Sequence, residues 1–560
     1  MSKRSNRIYQ SLQVLKKRKL IYLIVLYVAL AFAIFELINM FVEPVNSDKW
    51  SPALVIVILL AGLPLAIIIF WFYNITSKKS KKIARTNIDG RTIKFENSIA
   101  VLPFQDLSPA KDQEYFCDGI AEEIINALAH VSSLKVIARA SVFALKKQNL
   151  DLMEIGQRLN VGALLEGSIR KDGNRLRITA QLIKTEDGSY LWSERFDRNL
   201  EDIFAIQEEI SMAVVDNLKI KLLGDERSAI LKHYTDNFEV YNLYLKALSN
   251  IQLATSEGFE KAMEYIRQVL KIDPLFVPGY HGLAEIYILS SFFGKMPPNT
   301  AYPKAKEYAE RILEIDGKFS DAHRIIGVVS TYFDWDWEAA EHHFKYAMEL
   351  NPGNEWVHYS YANLLTFMGR HTEAVVEAKQ AAELDPLSGY FSASLGNIHT
   401  FALQFEEAIN HLKQTILKFP NYYMGYWFLA AAYRCVSKMD EAIKEYRKAM
   451  ELCGGIPIVT AFLAFVLYET GNKEEAERLI INLEKRAEKE YAPSTCFIIY
   501  YLLKGDHDHA YRWVERAIQE HDGYLPFIIT YPLNDYRLPV EPRYADLMKK
   551  VGLKRYYQNE

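Results

Sequence analysis

Cysteine is scarce in this chain: the 560 residues hold four, Cys117, Cys435, Cys453 and Cys496, with no CxxC pair and no metal-ligand spacing. That speaks against a disulfide framework or a metal site, and it fits a reducing compartment or simply a chain that needs no disulfides. Charge of one sign is scarce as well. The net balance is −4, so no global field points to nucleic acid or to an anionic surface. Also absent are the GxGxxG and Walker-type phosphate loops, the HExxH zinc motif and the GxSxG nucleophile elbow. No enzymatic activity, no cofactor, no metal and no nucleic-acid partner are therefore expected.

What the chain has in abundance is repetition. Ala340, Ala374, Ala408, Ala442, Ala476 and Ala510 recur every 34 residues. Each opens an apolar stripe at helical spacing, such as Ala340-Phe344-Ala347 or Ala442-Tyr446-Ala449. Three stripes run into a proline (Pro352, Pro386, Pro420), which stops a helix. About twelve residues before an alanine stands a second small residue, as at Ala362, Gly396, Ala430 and Ala464. Small residues at two such points let paired helices cross at close range. A period of 34 with two helices per unit is the tetratricopeptide signature, and the stretch resembles a tetratricopeptide array. Ala262-Ile266-Val269 and Ala305-Ala309-Ile312 carry the same stripe at irregular intervals, so an insertion is expected around Phe292 to Pro303. About eight units are expected over residues 235–525, and a tail at 526–560 is expected to cap them.

The other end reads differently. Residues 1–19 are basic, and the apolar runs Leu20 to Val42 and Ala53 to Phe72 are each long enough to cross a bilayer. Basic residues flank both outer ends, while the connector is slightly acidic. The expectation is a two-helix transmembrane hairpin over 20–73 in a bacterial inner membrane, with both termini cytoplasmic and the bilayer as a partner. A periplasmic soluble part is the rival placement. A cleavable signal peptide is disfavoured by the two full-length spans. Glu36, inside the first run, is a candidate functional acid weighed against plain anchoring. A polar linker over 74–95 follows.

From 96 to 225 the periodicity is mixed. Ile99 to Phe104 and Leu134 to Ala138 read as strands, and Asp118 reads as the cap of a helix through Leu128. Strands at Ala163 to Arg170, Arg175 to Lys184 and Tyr190 to Phe196 are joined by Asp172-Gly173 and Asp187-Gly188 turns. A helix over Glu201 to Leu222 closes a compact α/β domain. The phrases Ala100-Val101-Leu102-Pro103-Phe104, Asp118-Gly119-Ile120-Ala121-Glu122-Glu123, Leu165-Glu166-Gly167-Ser168 and Leu191-Trp192-Ser193-Glu194 resemble the bacterial TolB-like amino-terminal domain. That resemblance implies a module often joined to a nucleotide cyclase, a protein kinase or a winged-helix regulator. With 19 residues ahead of the first apolar run, no such output domain is expected here. The expected fold class is thus multidomain: a two-helix transmembrane hairpin, a compact TolB-like α/β domain and an all-α tetratricopeptide solenoid.

Two polar clusters could hold chemistry. Asp506-His507-Asp508-His509 falls in a repeat turn and Glu341-His342-His343 along a helix. Both read as solvated surface, because neighbouring side chains there point apart. Trp335 and Trp337 read as packing at a repeat turn, and Trp192 as a strand core residue. The tetratricopeptide resemblance implies that the first helix of each unit lines a concave groove. Counting from the alanine register, the groove residues are Trp356, Tyr359, Asn363, Tyr390, Asn397, Thr400, Trp427 and Arg434. The two asparagines could bond the main chain of a peptide while the aromatics form pockets. Packing against a neighbouring helix or the chain's own tail is the competing reading. The lysine of the family's carboxylate clamp is missing, since Tyr359 and Ala393 stand at its positions. The functional expectation is a membrane-anchored, non-enzymatic scaffold for protein or peptide partners, with the α/β domain binding a second partner or self-associating. The alternative is the sensor half of a signalling protein related to adenylate cyclases or transcription regulators.

Overall fold

The computed structural model describes residues 97–531, apart from 147, 149, 252, 254, 293–295 and 489–490, together with 549–553. They belong to one compact unit that starts at Lys94. In chain order come β1 (Ser98–Val101), β2 (Gln105–Asp106), α1 (Glu114–Ala129), β3 (Lys135–Val136), α2 (Arg139–Phe143) and α3 (Leu152–Leu159). A meander of β4 (Ala163–Asp172), β5 (Arg175–Lys184) and β6 (Tyr190–Asn199) leads into α4 (Ile203–Asn217). The sheet order is β3-β1-β4-β5-β6, with β2 also on β4. Pairings to β1 and β2 are parallel and the meander is antiparallel.

Alternation sets the sheet's inner face: Leu176, Ile178, Ala180 and Leu182 of β5 are fully buried. They pack under Ile120, Ile124 and Leu128 of α1 and Ile203, Ile210 and Val214 of α4, stripes at helical spacing. Gly167 is required in β4, because a Cβ there would sit 2.5 Å from the Thr179 carbonyl and 2.8 Å from the Phe104 ring. Asp118 is not a cap. It lies in the second turn of α1, which begins at Glu114, and its carboxylate accepts from Lys146 Nζ at 2.7 Å.

After α5 (Glu226–Ile230) the solenoid begins with α6 (Phe238–Ile251) and α7 (Ser256–Ile272), then α8 (Val277–Phe292) and α9 (Pro298–Ile315). The third pair is α10 (Ser320–Val329), prolonged by a π turn at Ser330–Asp334, and α11 (Trp337–Leu350). Then follow α12 (Glu355–Phe367) with α13 (His371–Leu384), α14 (Gly389–Phe401) with α15 (Phe405–Lys418), and α16 (Tyr423–Cys435) with α17 (Met439–Cys453). The last are α18 (Pro457–Glu469) with α19 (Lys473–Ala487), α20 (Thr495–Leu503) with α21 (His507–Gln519), and a short α22 (Leu525–Thr530). All six alanines of the register are fully buried, and so are Ala362, Ala430 and Ala464. At Gly396 a Cβ would stand 2.4 Å from Leu412, so the α14–α15 crossing tolerates no side chain. The helix pairs have the tetratricopeptide arrangement.

Two long-range features were not legible in the repeat. First, the sheet domain docks on the turns that follow α11 and α13. The Ala138 N–H donates to the Leu384 carbonyl at 2.8 Å, and the Gly353 N–H to the Ala129 carbonyl at 3.2 Å. The Ser141 hydroxyl donates to the Asp385 carboxylate and accepts from the Leu387 N–H at 2.7 Å. Second, the array curls until its eighth pair meets its second and third. Asn299 Nδ2 donates to the Gln519 carbonyl at 3.0 Å, and His521 Nδ1 donates to the Phe333 carbonyl at 2.6 Å. The His521 ring lies 4.2 Å from Phe333 and 5.2 Å from Trp335. Trp337 is buried, and its Nε1 donates to the Val551 carbonyl at 2.8 Å.

Among the described residues, no helix is long and apolar enough to cross a membrane. The longest, α9, spans 18 residues and is studded with Lys304, Lys306, Glu307, Glu310, Arg311 and Glu314. The runs at 20–42 and 53–72, Glu36 included, lie outside the described residues. The expected fold class is corrected accordingly to a mostly helical solenoid with a small mixed sheet. The transmembrane hairpin, the inner-membrane localisation and the bilayer contact that depended on it are unsupported.

Candidate functional site

The first helices of the pairs, from α8 to α18, line the inside of the curl, and α1 and α2 of the sheet domain approach it from one end. Between them lies a chamber of about 1860 Å3. That exceeds the ~300–1,000 Å3 of an ordinary small-molecule site and suits a segment of polypeptide.

Helical spacing places the wall. Trp356 and Tyr359 on α12 and Tyr390 on α14 meet across the helix junction: Trp356 to Tyr390 is 5.4 Å between ring centroids and Tyr359 to Tyr390 is 5.0 Å. The Tyr390 hydroxyl donates to the Tyr359 oxygen at 2.7 Å. Burial raises both phenol pKa values, so each keeps its proton. Trp356 stays 40% exposed, the accessible anchor of the wall. Trp427 on α16 extends the wall beside Phe428 and Phe462.

Asn363 and Asn397 also line the chamber but are nearly buried, at 4% and 8% exposure. Asn363 Nδ2 donates back to the Tyr359 carbonyl at 3.2 Å, which occupies part of the amide expected to read a peptide. Thr400 is not at the surface of the chamber: it is fully buried and donates to the Gly396 carbonyl at 3.2 Å. Arg434 lines the chamber wall yet is 3% exposed, paired with Glu469 at 3.1 Å and stacked 4.1 Å over Phe465. Seven of the eight expected groove residues therefore line the chamber, and Thr400 does not. Thr400 is held by its own helix, and Arg434 by Glu469 and Phe465 of α18.

The far half of the concave face is filled by the chain itself. Phe527 of α22 packs against Phe367 at 4.6 Å, Phe401 at 6.2 Å and Tyr332 at 6.3 Å. Tyr531, just beyond, meets Phe401 at 5.4 Å and Phe462 at 6.2 Å. The near half, toward α1 and α2, holds a polar cluster that the register did not reveal. His281, Glu285 and Asp321 offer ligand atoms within 4.8 Å of one another. They do not fit a metal ion, because the Arg324 guanidinium bonds both Glu285 and Asp321 and supplies the positive charge itself. Burial depresses the His281 pKa, keeping the ring neutral, and Asn354 donates to Asp321 at 3.0 Å. Glu122 pairs with Arg139 at 3.0 Å. Glu123 and Glu355 have no ion-pair partner among the described residues. Burial, reinforced by Glu122, pushes the Glu123 carboxyl up to about 7. Burial, reinforced by Asp385 and Asp321, pushes Glu355 up to about 8.

The remaining sequence candidates have local roles. Asp506 caps α21, accepting from the His509 N–H at 3.2 Å and facing its ring at 2.8 Å. Burial alone would raise Glu341, but Lys345, Arg370 and Tyr361 bind it and hold it at about 2. Neither neighbourhood faces the chamber.

Residues 95–213 match the family model described as the second domain of HilA/YgeH-like transcriptional regulators. The TolB-like resemblance is not what this match reports. A curated relative from Rhizobium meliloti (strain 1021), "Putative adenylate cyclase 3", is 35% identical over 238 residues, 42% of this chain and 40% of that protein. "Transcriptional regulator HilA" of Salmonella typhimurium is 21% identical over 292 residues, 50% of this chain and 49% of that protein. The chain thus spans half or less of the curated relatives it matches. Among solved structures, "APC/C hetero-tetramer Cut9-Hcn1" is 16% identical, covers 63% of each chain and reaches a TM-score of 0.37.

Proposed function

We propose that this protein is a non-enzymatic adaptor that binds a segment of a partner protein inside its solenoid. One observation carries the reading: an aromatic wall of Trp356, Tyr359, Tyr390 and Trp427 faces a chamber of about 1860 Å3. Rigid aromatics around a concave space supply contact area at low entropic cost, which is what peptide capture needs. Asn363 and Asn397 are assigned supporting contacts rather than the anchor. The sheet domain, hydrogen-bonded to two repeat turns, would close one end and restrict which segments can enter.

The test is binding of an aromatic-containing peptide to the full chain, read by fluorescence anisotropy. Trp356→Ala combined with Tyr390→Ala is expected to weaken it at least about tenfold, a loss of ~1.4 kcal/mol or more, while far-ultraviolet circular dichroism stays unchanged. Undiminished affinity in a folded double variant would remove the wall from the site.

A second reading rests on the relatives. Comparable segments occur in one protein named as a putative adenylate cyclase and another named as a transcriptional regulator. Their names support a place in signalling, with this chain acting as a non-catalytic sensing half. Turnover of ATP or GTP by the purified chain would overturn the non-enzymatic assignment.

A further inference from the structure

The chamber's charges are paired on one side only. Its cationic groups are spoken for: Arg139 by Glu122, Arg324 by Glu285 and Asp321, Arg434 by Glu469, Lys318 by Asp225. Lys232 is held by Asp316 at 2.5 Å, and Arg486 donates to the Gly455 carbonyl at 2.8 Å. Carboxylates remain over. Glu355 and the exposed Trp356, at the start of α12, both line the chamber. Glu123, on α1 across the chamber, lines it together with Tyr234, Tyr241 and Tyr244.

We infer that the segment captured by this chamber is basic: a peptide whose lysine or arginine side chains sit between the aromatic rings and the unpaired carboxylates Glu123 and Glu355. This rests on the adaptor reading above and adds the chemistry of the occupant. The physical argument is complementarity. A carboxylate partly withdrawn from water without a counter-ion is costly, and a cation brought to it recovers that cost. Aromatic faces add attraction for the same cation and for its methylene stem. An acidic segment meets the opposite situation. Every arginine and lysine that could receive it is already bound to a protein partner, and the free carboxyl groups offer it no positive charge. The far half of the groove, occupied by Phe527, takes no part.

Four labelled peptides of equal length test the inference on the full chain: lysine with tryptophan, glutamate with tryptophan, glutamine with tryptophan, and lysine with alanine. The lysine–tryptophan peptide is expected to bind about tenfold or more tightly than the glutamine–tryptophan one, and the glutamate–tryptophan peptide most weakly. The lysine–alanine peptide is expected to lose the wall's share of the affinity. In Glu123→Gln combined with Glu355→Gln, the lysine–tryptophan peptide falls to the affinity of its glutamine counterpart, which itself is unchanged and so reports a folded groove. Raising salt erases the preference in the native chain and does nothing in the double variant. Equal binding of the lysine, glutamine and glutamate peptides that Trp356→Ala still weakens overturns the basic assignment and leaves the adaptor standing. Binding of no peptide, or binding indifferent to Trp356→Ala, brings down both.

Discussion

The two halves of the concave face use the same scaffold for opposite ends. At the far half, Tyr332, Phe367 and Phe401 close on Phe527. At the near half, Trp356 is open to solvent, and among the described residues Glu355 has no ion-pair partner, though the charge of Arg324 reaches it. The repeat fixes where first helices go, but what fills the space between them is set by α22 and by the sheet domain. Neither of these belongs to the 34-residue period. On the adaptor reading proposed above, the partner would be chosen by the stretch of the inner face that the chain leaves uncovered.

The contrast makes its largest prediction at Phe367. The ring is fully buried and touches Trp337 and Phe527. Phe367→Ala is expected to cost roughly 3–5 kcal/mol, from lost burial and the cavity left behind. A urea midpoint shifted strongly downward checks it. A midpoint close to that of the native chain would mean that the far half is as loosely filled as the near one.

Next comes the joint that makes the near half a chamber. Ser141 is fully buried and serves both the Asp385 carboxylate and the Leu387 N–H. Ser141→Ala leaves the buried Asp385 carboxylate and the half-buried Leu387 N–H short of a partner, with an expected cost of about 1–3 kcal/mol. Hydrogen exchange should localise the effect to residues 139–143 and 384–388. Uniform loosening of the whole solenoid would argue against a discrete joint.

What could be read in advance follows from the same division. The helix pairs were legible because their cause is local and periodic: an alanine every 34 residues, a small residue opposite, a proline at the end. The meander was legible from Gly173 and Gly188, both with positive φ, between alternating strands. Asp118 resembles a cap because Asp before an apolar run commonly is one, and nothing in the sequence places Lys146 beside it. Thr400 and Arg434 fell at groove positions by counting, yet counting cannot report that the Gly396 carbonyl and Glu469 already hold them. The knot of His281, Glu285, Asp321 and Arg324 spans two helices about 40 residues apart across an irregular repeat. The closing seam at His521 joins residues nearly 190 apart. Such contacts have no sequence period, and only the three-dimensional curl brings them together. The apolar runs near the start remain outside the described residues, and the hairpin inferred from hydropathy gains no support from any described helix.

The smallest effect separates the halves by charge instead of volume. Burial, with Asp385 and Asp321 nearby and Arg324 opposing them, raises the Glu355 carboxyl from 4.5 to about 8 in the folded chain. Between those values the folded protein holds a proton that the unfolded chain has released. Stability from this group is therefore fully present below pH 4.5 and lost as pH rises through about 8. Glu355→Gln cannot ionise, so the variant should match the native chain near pH 5 and exceed it near pH 8.5. The gain is expected to be on the order of 1 kcal/mol, since water in the chamber screens part of the shift. The buried histidines His281 and His323, whose depressed pKa values act in the opposite direction below neutrality, are common to both proteins and cancel in the difference. Thermal melts of both proteins across pH 5–8.5 decide it. A gap that stays constant with pH would place Glu355 in ordinary solvent and make the near half no different from an exposed surface.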